Sequence, residues 1–101
     1  MKISIITVVR DGATTINDTI DSVLNQTHKD LEYIVVDGAS TDGTTDILRS
    51  YGNKIDKLIS EQDMGLYDAM NKGIGLATGE IIGFLHSDDL YVDNEVLSKV
   101  S

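Results

Sequence analysis

A Rossmann-like α/β fold, with a mainly parallel sheet between two helical layers, is what this sequence predicts. Two observations carry that expectation. Four short apolar runs alternate with four stretches in which apolar residues recur at helical spacing. The runs are nearly continuous, as strands buried on both sheet faces are, and crossovers between such parallel strands are right-handed.

Residues 3–9 form the first run, rich in β-branched Ile and Val. Thr14 and Thr15 open a helix in which Ile16, Ile20, Val23 and Leu24 share a face, and Thr15 with Asp18 resembles a capping box. Residues 31–36 are the second strand, ending at Asp37 and Gly38, and 45–51 a short helix with Ile47, Leu48 and Tyr51 on one side. A weaker third strand covers 57–60. The helix over 66–77 is expected to turn Leu66, Met70, Ile74 and Ala77 inward, with Gly73 and Gly75 weakening its end. Residues 81–85 read as an inner fourth strand, and 94–100 start a further helix through Val96, Leu97 and Val100.

The 101 residues suffice for one small domain, 1–101, with little room for a second. Hydrophobic residues at 41% place it among ordinary globular chains rather than disordered ones. A formal net charge of -9, from 17 acids against 8 Lys and Arg, excludes binding a nucleic-acid backbone through a basic surface. A phosphate ester would have to be held through a metal or backbone amides. Without cysteine there is neither a disulfide framework nor a thiolate metal site, which is compatible with the cytoplasm. The first apolar run is broken by Ser4 and Thr7 and meets Arg10 and Asp11 with no small-residue cleavage site, so it reads as a strand, not a signal peptide. No apolar segment reaches membrane-spanning length.

In this topology the residues just after each strand share one sheet edge, where open α/β sheets bind ligands. They are Arg10 and Asp11, Asp37, residues 61–63, and His86 to Asp89. The adjacent acids Asp88 and Asp89 have two readings: turn chemistry at a strand end, or a site for a hard divalent cation. Neither G-x-G-x-x-G after the first strand nor a P-loop is present. The pyrophosphate of a nucleoside diphosphate ligand would then be neutralised chiefly by metal, leaving Asp37 to accept hydrogen bonds from base or ribose. Thr41 to Thr44 read as turn and helix-capping residues, and Tyr67 and Met70 as core or lid packing. Asn71 and Lys72 read equally as phosphate contacts or a solvated helix end, His86 as a hydrogen-bonded structural histidine, and Glu61 and Asp63 as solvated loop acids.

Val35-Val36-Asp37-Gly38-Ala39-Ser40-Thr41-Asp42-Gly43-Thr44 together with Ser87-Asp88-Asp89 resembles the family 2 glycosyltransferases of GT-A fold. Ser4-Ile5-Ile6-Thr7-Val8-Val9-Arg10-Asp11, Ser22-Val23-Leu24-Asn25-Gln26-Thr27 and Gly65-Leu66-Tyr67-Asp68-Ala69-Met70-Asn71-Lys72-Gly73 resemble further family blocks in the family's order. The resemblance implies that Asp37 contacts the uracil of a UDP-sugar, Asp88 lies near its ribose, and Asp89 binds Mn²⁺ or Mg²⁺ on the diphosphate. Val8 and Arg10 fall where the family lines the nucleotide pocket. Gly38, Val8 and His86 depart from the commoner Asp, Pro and Asp.

The implied reaction is inverting sugar transfer to a glycan or lipid-linked acceptor, as in bacterial polysaccharide synthesis, in the cytoplasm or peripherally at the inner membrane face. The family's base comes from a segment well beyond the acid pair, so no catalytic residue is assigned, and the chain is expected to be the N-terminal, donor-binding half of a GT-A domain. Its uncovered sheet edge leads to the expectation of a homo-oligomer. The alternative is a non-catalytic nucleotide-binding or assembly module. A receiver-like signalling domain would carry its acid pair after the first strand, whereas here the pair follows the fourth.

Overall fold

The computed structural model describes residues 2–26, 30–62 and 65–85. In chain order these form β1 (Ile3–Val9), α1 (Ile16–Leu24), β2 (Leu31–Asp37), α2 (Thr44–Ser50), a 3-10 turn over Gly52–Lys54, β3 (Lys57–Ser60), α3 (Leu66–Leu76) and β4 (Ile81–Phe84). The helix expected over 94–100 lies outside the described residues. The strands pair in the order β3-β2-β1-β4, and every pairing is parallel. The α/β class and the parallel sheet predicted from the sequence are therefore observed.

β1 is buried at every position because it has a strand on each side and helices over both faces. Its alternate side chains feed two cores. Ile3, Ile5 and Val9 pack with Tyr33 and Val35 of β2 against Ile16, Ile20 and Val23 of α1 and Leu48 of α2. Ile6 and Val8 pack with Ile34 and Val36 against Ala69 of α3, with Met70 and Leu76 alongside. Inside the first core, Thr7 and the Tyr33 hydroxyl share a 2.8 Å hydrogen bond that satisfies both buried groups. The Tyr51 hydroxyl ties α2 to α1, lying 2.9 Å from Oδ1 of Asp21 and 3.0 Å from Oδ1 of Asn17. Burial and the neighbouring Asp21 push that phenol up to about 12.

Three sequence expectations are corrected. Thr15 stands at the N-cap of α1 but makes no capping hydrogen bond with its side chain, and the Ile16 amide instead reaches the Gly12 carbonyl. On α3, Ile74 is 43% exposed, because the face turned to the sheet runs through Ala69, Gly73 and Leu76. A Cβ on Gly73 would lie 2.5 Å from Cγ2 of Ile6, so this glycine is where the helix approaches β1 most closely rather than a weakness at the helix end. Among the described residues β4 pairs only with β1. Ile82 and Phe84, on the α3 side, remain more than a third exposed.

At the amino ends of the strands a buried carboxylate anchors the turn between α3 and β4. Glu32 accepts from the Ser4 hydroxyl at 2.9 Å, the Thr78 amide at 2.9 Å and the Thr78 hydroxyl at 3.0 Å. Lys57 lies 3.1 Å away and Lys2 3.7 Å. Lys57 also donates to the terminal α3 carbonyl of Leu76. Burial raises the Glu32 pKa, but the Thr78 amide, the Ser4 hydroxyl and the Lys57 ammonium together outweigh it and hold the group at about 2.

Gly73→Ala is expected to lower unfolding free energy by about 1–3 kcal/mol through overpacking against Ile6, measured by urea denaturation. Glu32 is depressed from 4.5 to about 2 on folding, so its stabilisation is complete above pH 4.5 and is lost as pH falls towards 2. Between those limits the urea midpoint of the parent should fall more steeply than that of Glu32→Gln; parallel curves would show that Glu32 is not the linked group.

Candidate functional site

The carboxyl edge of the sheet holds the interesting chemistry, and the register sets its geometry. Val9 is paired with Asp37, and Asp37 with Ser60, so the ends of β1, β2 and β3 stand level. On the other side of β1, the Leu85 amide donates to the Ile6 carbonyl at 3.0 Å, three residues before the end of β1. The strand order reverses between β1 and β4, the switch point beside which α/β sheets open a crevice.

Asp37 is fully buried, with 0% of its surface exposed. One carboxylate oxygen accepts from the Ser40 amide at 3.3 Å and the Ser40 hydroxyl at 2.5 Å. The other accepts from the Thr45 hydroxyl at 2.6 Å and the Ser60 hydroxyl at 2.9 Å. Those donors come from the loop after β2, the first turn of α2, and β3. A carboxylate offers about four acceptor sites, and four protein donors occupy them here.

The loops after β1 and β2 are cross-linked. The Asp11 amide donates to the Ser40 hydroxyl at 2.8 Å, and the Thr41 amide returns a 2.8 Å bond to the Asp11 carboxylate. Asp42 accepts from the Ala13 amide at 3.1 Å and from both the amide and the hydroxyl of Thr44. The Thr44 hydroxyl, then the Ala13 amide, hold the Asp42 carboxyl below the usual range. Thr41 to Thr44 thus behave as the turn and cap expected, with Gly43 supplying a φ of 97° before α2. Asp11 and Ala39 adopt left-handed φ values of 53° and 58°, which an Ala holds only under tertiary constraint.

Val8, expected to line the ligand pocket, is 7% exposed at the end of β1, within the core on the α3 side. Arg10 is exposed two residues later, where β1 gives way to the loop. Both therefore stand at the same edge as Asp37. His86, Ser87, Asp88 and Asp89 lie outside the described residues, as does Asp63. Lys72 is engaged within its own region: it pairs with Glu61 at 3.1 Å and Asp68 at 3.3 Å and donates to the Gln62 carbonyl. Burial opposes its charge, but Glu61 and Asp68 outweigh that and keep its pKa above the ordinary lysine value. Tyr67, read as core or lid packing, is 82% exposed on the first turn of α3.

The hydroxyls of Ser40, Thr45 and Ser60 were missed as a set. Ser40 lies three residues after Asp37, a spacing at which an Asp side chain commonly closes a local turn. Ser60 had no signal along the chain; it meets Asp37 only through strand register. Among the described residues no group of three or more His, Cys, Asp or Glu could hold a metal. The described carboxylates at this edge are instead bonded to amides, hydroxyls or Lys72.

The sequence pattern of glycosyl transferase family 2 matches residues 4–100. The chain is 44% identical over 91 residues to the putative teichuronic acid biosynthesis glycosyltransferase TuaG of Bacillus subtilis, covering 86% of this chain and 36% of that protein. It is 41% identical over 85 residues to a PGL/p-HBAD biosynthesis glycosyltransferase of Mycobacterium bovis, covering 81% of this chain and 33% of the relative. It therefore spans about a third of the length of these curated relatives. Among solved structures, S. aureus TarS 1-349 in complex with UDP-GlcNAc superposes with a TM-score of 0.86 at 30% identity, covering 99% of this chain and 30% of that one. The mannosyltransferase PcManGT from Pyrobaculum calidifontis, in complex with GDP-Man and Mn2+, gives 0.89 at 29% identity, covering 96% and 30%.

Asp11→Ala should speed hydrogen exchange of the Thr41 amide about tenfold or more while leaving the sheet amide of Val35 protected. Unchanged exchange at Thr41 would mean that the two loops are held independently of Asp11.

Proposed function

Because the chain belongs to glycosyl transferase family 2, we propose that its carboxyl sheet edge binds the nucleotide-sugar donor of a glycosyltransferase that transfers the sugar with inversion. The observation that carries this reading is the switch point between β1 and β4, where the ends of β1 and β2 stand level and the chain continues after Leu85 towards Ser87, Asp88 and Asp89. Val8, Arg10 and Asp37 border the nucleoside, with Arg10 exposed and able to lay its guanidinium plane on a base. Asp88 attends the ribose.

A UDP-sugar is the donor we favour, supported by TarS being held with UDP-GlcNAc, although PcManGT is held with GDP-Man. A divalent ion, Mn²⁺ or Mg²⁺, fits the donor chemistry of Asp89, since both are hard cations that take carboxylate oxygens. When bound, such an ion supplies Lewis-acid stabilisation of the departing diphosphate. The chain's own residues bind and orient: the cross-linked loops after β1 and β2 present a rigid wall, and burial of Val8 keeps water from beneath it.

The acceptor we propose is a glycan or lipid-linked sugar, in keeping with TuaG, a putative teichuronic acid biosynthesis glycosyltransferase. The catalytic base is assigned to no residue of this chain. The second reading is a nucleotide-binding or assembly module without transfer. No described helix is long and apolar enough to cross a membrane, and we place the protein at the cytoplasmic side.

Calorimetric titration of UDP with and without Mn²⁺ tests the donor site. The parent is expected to bind UDP more tightly with the metal, and Asp89→Ala to lose most of that dependence. Metal dependence that survives in Asp89→Ala removes the metal assignment. A release assay with UDP-sugar and acceptor separates transferase from module.

A further inference from the structure

The buried carboxylate of Asp37 poses a question that its place in the donor site leaves open. Its oxygens already carry the Ser40 amide and the hydroxyls of Ser40, Thr45 and Ser60, and none of its surface is exposed. To accept a further hydrogen bond from a nucleobase it would have to give up one of these and become accessible. Removing a donor from a buried charge is costly, so a base contact made in that way would gain little.

What Asp37 does touch controls the wall of the site. The Ser40 hydroxyl that donates to Asp37 also accepts from the Asp11 amide, at 2.8 Å. Asp11 in turn anchors the Thr41 amide, and the Gly38 amide is bonded to the Val9 carbonyl at 2.9 Å. The two left-handed residues, Asp11 and Ala39, are the ones this chain of bonds holds in place. The carboxylate is thus the inner end of a relay, Asp37 to Ser40 to Asp11, that fixes the backbone next to Arg10.

We propose that Asp37 is a positioning residue, acting on nucleotide affinity through Ser40 and the joined loops after β1 and β2 and not by contact with the base. The inference rests on the donor site proposed above. It predicts that Ser40, which the sequence analysis gave no role of its own, matters for binding in the same way as Asp37.

Paired titrations with UDP and CDP decide the matter, because uracil N3 carries a hydrogen and cytosine N3 accepts one. A carboxylate that reads the base favours UDP, and its replacement by an amide that can donate shifts preference towards CDP. Under the positioning role, Asp37→Asn weakens UDP and CDP alike, by about tenfold, with their ratio unchanged. Ser40→Ala weakens both in the same way although Asp37 is intact, Ser40→Thr restores binding, and the Asp37→Asn/Ser40→Ala double variant is no weaker than Asp37→Asn. Amide exchange at Asp11 and Thr41 rises in both single variants while Val35 stays protected, which a globally unfolded variant would not show.

A UDP-to-CDP ratio that moves about tenfold in Asp37→Asn, or Ser40→Ala with parental affinity for both, overturns the positioning role and leaves the donor site standing. A parent that binds no nucleoside diphosphate, with or without Mn²⁺, overturns the donor site and this inference together.

Discussion

Every described strand and helix is placed with reference to β1, which hydrogen-bonds a parallel neighbour on each side and supplies one core with its odd residues and the other with its even ones. A strand in that position can carry almost nothing polar. Its exceptions, Ser4 and Thr7, are both bonded internally, Ser4 to Glu32 and Thr7 to Tyr33. The same crowding sets what may face it. α3 crosses over Ile6 at a glycine, and the turn into β4 passes Ser4 at Gly79, whose Cβ would meet the Ser4 amide nitrogen at 2.7 Å. The close approach of α3 and β4 to β1 therefore depends on two missing side chains.

β2 carries two buried carboxylates, Glu32 and Asp37, at opposite ends and on opposite faces, and they are satisfied by opposite means. Glu32 at the amino end is compensated by two lysines as well as hydroxyl and amide donors, which is how a buried charge is ordinarily tolerated. Among the described residues, Asp37 at the carboxyl end is met by neutral donors alone. The first arrangement fixes the turn that sets the start of β4. The second fixes the loops around which the chemistry gathers. One strand thus anchors the fold at its beginning and the site at its end.

The sequence displayed the fold well because a parallel α/β sheet writes itself as alternation: the four strands and the first three helices fall within a few residues of their expected places. Where the reading failed, the cause was tertiary. Ile74 has helical spacing with Met70, but helix rotation is set by where a glycine lets the backbone approach, and that depends on Ile6, far away in sequence. Of the candidate site, Val8, Arg10 and Asp37 could be put on one edge from strand order alone. What Asp37 does there could not, because Thr45 and Ser60 reach it through a helix start and a neighbouring strand, contacts that leave no trace in local pattern. Asp88 and Asp89 stand outside the described residues and rest on the sequence.

The neutral company of Asp37 has a consequence for how an anion would arrive. A buried carboxylate that no described cation pairs projects its field through the low-dielectric wall, and it does so in a chain whose formal net charge is -9. A diphosphate of the kind proposed as donor would be repelled as it approached this edge, and mobile ions would screen the repulsion over a Debye length of about 10 Å at 0.1 M salt. Association would then quicken as ionic strength rises, the reverse of the usual behaviour of phosphate-binding clefts.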